Sequence, residues 1–135
     1  GERQWKIIKL AHCRGKIVHQ LVEAAAVASN VQRLILGPTS HTVRSCVVSL
    51  ARGLSLPSSS LTALTIHSVR FNHSLMNLLS ASLARNNSLV DLSFMGCRFT
   101  QEDSSHLVLG NVLGKMKGLQ HLSFSGCRLE DEQCH

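Results

Sequence analysis

Five segments of this chain share one spacing of apolar residues, and that spacing limits the folds open to it. Four copies are plain: Val31, Leu34 and Leu36; Leu61, Leu64 and Ile66; Leu89, Leu92 and Phe94; Leu119, Leu122 and Phe124. Trp5, Ile8 and Leu10 form a weaker fifth. The copies start near residues 5, 31, 61, 89 and 119, at intervals of 26, 30, 28 and 30. Three of them continue alike, through His67 to Phe71, Met95 to Phe99 and Ser125 to Leu129. A unit this short cannot bury its own apolar face, whereas stacked units share one continuous core.

Between the copies the apolar period changes from 2 to about 3.6, the change from strand to helix. Val18, Leu21, Val22 and Ala25 lie on one helical face, as do Val43, Cys46, Val47 and Leu50. Leu109, Val112, Leu113 and Met116 repeat the pattern, and Leu75, Leu78, Leu79 and Leu83 keep it with a longer last step. Thr100 with Asp103 three residues on resembles a capping box. Arg52, Arg85 and Lys115 fall where helix C-termini favour cations. Each unit therefore reads as a short strand, a turn, a helix and a return loop. Trp5, Phe71, Phe94, Phe99 and Phe124 all take inward positions and are expected in the core.

The chain has 135 residues, enough for one domain spanning 1–135. With 44% hydrophobic and 16% charged residues it can build a core. No apolar run is long enough to cross a bilayer, so no membrane insertion is expected, and the first twenty residues lack a signal-peptide layout. Five cysteines without a CxxC pair read as reduced thiols in the cytosol or nucleus. The last strand is followed by a few polar residues and no covering helix. The expectation is a fragment of a longer protein, with Gly1 a tag remnant, or an end closed by self-association.

The apolar spacing resembles a leucine-rich-repeat domain of the ribonuclease-inhibitor type. That resemblance implies an α/β fold: a leucine-rich-repeat solenoid of about five repeats, with a curved parallel β-sheet on the concave side and helices on the convex side. It also implies a Cys or Asn slot after each strand, held here by Cys13, Cys97 and Cys127. The second repeat departs from the pattern, with Thr39 in the slot and a long Ser/Pro return over 56–60, so an irregular turn is expected there. More loosely, the repeat order resembles the repeat region of large centrosomal leucine-rich-repeat proteins of centrioles and ciliary bases. That second likeness implies a cytoplasmic adaptor at the centriole, with ubiquitin-ligase and centriole-duplication partners.

Three ladders of outward residues follow from stacking the copies: Ile7, Arg33, Ala63, Asp91, His121; Lys9, Ile35, Thr65, Ser93, Ser123; and Ala11, Gly37, His67, Met95, Ser125. The concave-face candidates for protein binding are Lys9, Arg33, Ile35, Thr65, His67, Asp91, Ser93, Met95 and His121. The alternative is an ordinary solvated strand face. A second set, Arg14, Arg70, Arg98 and Arg128, follows the slot in four of five repeats and should form a basic row along one rim. Like charges about 5 Å apart in water repel by roughly 0.8 kcal/mol, so such a row is cheap to keep. A solvated rim and a site for an acidic protein surface both fit.

Fourteen basic residues against eight acidic give a net charge of +6, and between Arg3 and Val90 ten Lys/Arg stand beside one acid, Glu23. A basic body attracts nucleic acid, anionic lipid or acidic protein. With no tyrosine, one tryptophan and four core phenylalanines, stacking platforms are missing, which argues against nucleic acid. The eight histidines lack the paired, closely spaced ligand sets of a structural zinc site. No GxSxG elbow, P-loop or GxGxxG is present, so no catalytic residue, cofactor or metal is expected. The function expected is a non-catalytic protein–protein interaction scaffold. The rivals are a substrate-recognition arm of a ubiquitin ligase and the sensor repeats of an intracellular immune receptor.

Overall fold

The computed structural model describes residues 7–10, 20, 24, 31–37, 43–56, 59–100 and 105–130. Short strands alternate with helices along the chain, as the change of period demands. Strands β1 (Ile7–Leu10), β2 (Arg33–Leu36), β3 (Ala63–His67), β5 (Asp91–Met95) and β7 (His121–Ser125) form one parallel sheet in that order. Strands β4 (Arg70–Phe71), β6 (Arg98–Thr100) and β8 (Arg128–Glu130) form a second, smaller parallel sheet. Helices α1 (Val43–Ser55), α2 (His73–Arg85) and α3 (Ser105–Lys115) occupy the connections, and α2 packs against both α1 and α3. The fold is mixed α/β around a five-stranded parallel sheet.

The repeat governs the pairing. Leu34, Leu64, Leu92 and Leu122 are partners across β2, β3, β5 and β7, and Leu36, Ile66, Phe94 and Phe124 follow two positions on. Along β2 the residues alternate between half-buried and buried, which is the period-2 pattern made physical. Leu34, Leu64, Ile66, Leu92 and Phe94 join Leu50, Leu54, Leu79 and Leu83 of the helices in one buried cluster. The sheet thus has one face in the core and one open.

The starts of β3, β5 and β7 are locked by one carbonyl each. Gln32 O accepts the N–H groups of Thr62 and Ala63, Thr62 O those of Val90 and Asp91, and Val90 O those of Gln120 and His121. Strand ends turn at a left-handed residue: Ser68 (φ 58°), Gly96 (φ 64°) and Gly126 (φ 65°) occupy equivalent corners. The corners are stitched by Ser68 N–H to Met95 O at 2.8 Å and Gly96 N–H to Ser125 O at 2.7 Å.

The four phenylalanines bind the two sheets together. Phe94 stacks on Phe124 at 5.1 Å and Phe71 on Phe99 at 5.4 Å, while Phe94 meets Phe99 edge-on at 5.7 Å. Phe71, Phe94 and Phe99 are buried, as expected. Phe124 is not: it is 48% exposed, and Leu122 is 43% exposed. Both face the core side of β7 and are only partly covered there. They floor an apolar groove of about 670 Å³ with Phe99, Leu109 and Leu113.

Thr100 is the last residue of β6, and the rest of the expected capping box, Asp103 included, lies outside the described residues. Helix α2 is N-capped by Asn72, whose Oδ1 accepts from Leu75 N–H at 2.8 Å. Arg52, Arg85 and Lys115 do sit in last helical turns. Trp5, Cys13, Thr39 and the first helical segment around Leu21 lie outside the described residues, as does Pro57 of the long return.

Candidate functional site

The open face of the large sheet carries the ladders in register. Ile7, Arg33, Ala63, Asp91 and His121 are consecutive partners, and so are Lys9, Ile35, Thr65, Ser93 and Ser123. The third ladder holds for His67, Met95 and Ser125. Gly37 follows β2 and donates its N–H to Leu10 O at 2.6 Å, and Ala11 lies outside the described residues.

All nine candidates on this face are half-buried or exposed: Arg33, Ile35, Thr65, His67, Asp91 and Ser93 are half-buried, and Lys9, Met95 and His121 exposed. Ala63, by contrast, is only 6% exposed, so it acts as a floor between Arg33 and Asp91. His67 ends β3 and His121 begins β7, with β5 between them, so the two imidazoles are not brought together. Among the described residues no group of three or more His, Cys, Asp or Glu could hold a metal ion. The face runs from cations at β1 and β2 (Lys9, Arg33), through one carboxylate (Asp91), to hydroxyls (Ser93, Ser123, Ser125). Met95, 37% exposed, adds an apolar contact point. Such a face offers a graded polar surface on a rigid support.

The arginine row is also formed. Arg70, Arg98 and Arg128 are register partners across the small sheet, and all three are exposed. Arg14 lies outside the described residues. Just before each of these arginines, the slot residue turns inward. Cys97 Sγ donates to Ile66 O at 3.4 Å and Cys127 Sγ to Phe94 O at 3.3 Å, each reaching a strand of the preceding repeat. The slot thiols thus tie one repeat to the next as well as filling space. Burial pushes the Cys97 thiol up to about 11, with backbone hydrogen bonds pulling partly the other way.

A support that sequence reading missed is Asn86. It is buried at 7% exposure just past α2, and its Nδ2 donates to Leu54 O at 3.1 Å. Its Oδ1 accepts from Ser88 N–H at 3.0 Å and Leu89 N–H at 2.9 Å. Ser88 Oγ in turn donates to Leu61 O at 2.7 Å. This clamp sets the entry into β5, and so places Asp91, Ser93 and Met95. An Asn at a helix end beside a Ser was the signal for it.

No protein-family model matches the chain, and no curated protein matches it by sequence. No helix among the described residues is long and apolar enough to cross a membrane.

Proposed function

We propose that the chain is a leucine-rich-repeat solenoid serving as a non-catalytic scaffold for protein–protein interaction, with the open sheet face as its binding surface. One observation carries this reading: consecutive repeats present their outward side chains in unbroken register, from Ile7 to His121 and from Lys9 to Ser123. Register of this kind fixes the spacing between contact groups before a partner arrives, which lowers the ordering cost of binding. In this reading Lys9 and Arg33 steer an acidic partner surface, while Met95 and Ile35 supply apolar anchoring. The cytoplasmic setting, at centrioles or ciliary bases, is part of the same proposal and rests on the resemblance of the repeat order.

Paired variants test it. Thr65→Arg with Met95→Arg fills the open face, whereas Arg44→Glu with Arg52→Glu alters the helix side. Proximity labelling in cells should lose its specific neighbours with the first pair and keep them with the second. An unchanged neighbour set for the open-face pair refutes the assignment of the surface.

A further inference from the structure

The small sheet carries a second surface, separate from the open face. Its three strands are short, two to three residues each, yet they hold Arg70, Arg98 and Arg128 side by side. Neighbouring strands lie about 4.8 Å apart, so the row spans roughly 10 Å. Each arginine lies two residues after a left-handed corner, at Ser68, Gly96 or Gly126, which fixes where the backbone turns out of the large sheet. Glu130, the acid of this sheet, pairs with Thr100 two positions further along. The result is a row of exposed arginines on backbone positions with one regular step.

A partner must offer carboxylates or phosphates with a matching step. A helix with acids at i, i+3 and i+7 presents them about 4.5 and 6.0 Å apart along its axis, about 10.5 Å in all. An extended strand repeats its same-face side chains every 6.8 Å or so and overshoots the row. Single-stranded nucleic acid gains affinity by stacking on aromatic side chains. Here Phe71, Phe94 and Phe99 are buried; Phe124, half exposed with one face stacked on Phe94, borders Arg128, so one ring at one end of the row is the extent of any stacking platform among the described residues. Guanidinium forks suit carboxylates in a bidentate geometry, which adds direction to charge. We propose that Arg70, Arg98 and Arg128 dock a partner helix that carries Glu or Asp along one face.

The test uses the whole chain and two helical peptides of one composition at low ionic strength. One peptide has Glu at i, i+3 and i+7; the other spreads the same Glu residues around the helix. Fluorescence anisotropy should show the first binding several-fold more tightly. The triple variant Arg70→Ala, Arg98→Ala, Arg128→Ala should lose about tenfold, and Arg98→Ala alone about two- to threefold, from exposed ion pairs of ordinary strength. The control triple Arg44→Ala, Arg52→Ala, Arg85→Ala removes the same charge from the helices and should stay within about twofold. Far-UV circular dichroism confirms that each variant is folded; if the rim triple is not, Arg98→Ala carries the test. Equal affinity for the two peptides, or equal losses in the two triples, overturns the proposal in favour of net charge alone. Tighter binding of duplex DNA than of the facial peptide, lost in the rim triple, overturns it in favour of nucleic acid.

Discussion

Truncating Phe94 and Phe124 separately measures how far burial, rather than stacking, holds the repeats together. The two rings stack on each other at 5.1 Å, so either truncation removes the same face-to-face contact. Their surroundings differ: Phe94 is fully buried and Phe124 is 48% exposed. Removing Phe94 forfeits its transfer free energy and leaves a closed void beside Phe71 and Phe99, at a cost of about 3–5 kcal/mol. Removing Phe124 forfeits about half of a ring's transfer term, on the order of 1 kcal/mol, and opens no closed cavity. The shared stacking contact adds about 0.5–1.5 kcal/mol to each. Phe94→Ala should therefore cost about 2–4 kcal/mol more than Phe124→Ala. Urea titration followed by far-UV circular dichroism reads this as a larger fall in midpoint for Phe94→Ala, at an unchanged slope. Equal losses for the two variants would refute the reasoning, because they would mean that Phe124 is covered as completely as Phe94.

Other perturbations follow from the same geometry. Asn86→Ala strips partners from Leu54 O and from the N–H groups of Ser88 and Leu89, and should cost about 2–4 kcal/mol in chemical denaturation. Ser68→Gly relieves a left-handed backbone at φ 58°, and Gly96→Ala imposes one at φ 64°; thermal melts should move up and down respectively, each by about 1 kcal/mol of stability. The raised thiol of Cys97 makes the protonated form the one the native state favours. Its contribution is complete below about pH 9 and is lost as pH rises from the ordinary 9.0 towards about 11. Stability of Cys97→Ala should therefore fall less steeply than wild type over that range, and parallel curves would exclude the effect.

How much of this was legible beforehand depends on the residue. Leu64, Leu92 and Leu122 declare adjacent strands because alternation along a strand admits only one register that keeps all of them on the core side. The same logic placed Arg33, Asp91 and His121 in one ladder, and the shared position after the slot placed Arg70, Arg98 and Arg128 in one row. The small sheet itself was not legible, since strands of two or three residues are too short to show a period. Asn72 and Asn86 escape sequence reading because an Asn between elements reads as loop, and Asn86 also reaches a carbonyl, Leu54 O, far away in sequence. Phe124 occupies an inward position, but exposure is set by what lies above a side chain, and no residue carries that information alone.

The copies begin 26, 30, 28 and 30 residues apart, yet their strands pair without a single slipped position. All the variation in length is therefore absorbed between the strands, where the helices and their connections lie. The carbonyls of Gln32, Thr62 and Val90, each capturing two successive amides, act as a ratchet that resets the count at the entries to β3, β5 and β7. Insertions and deletions on the helix side can thus accumulate while the opposite surface keeps its lattice of side chains intact.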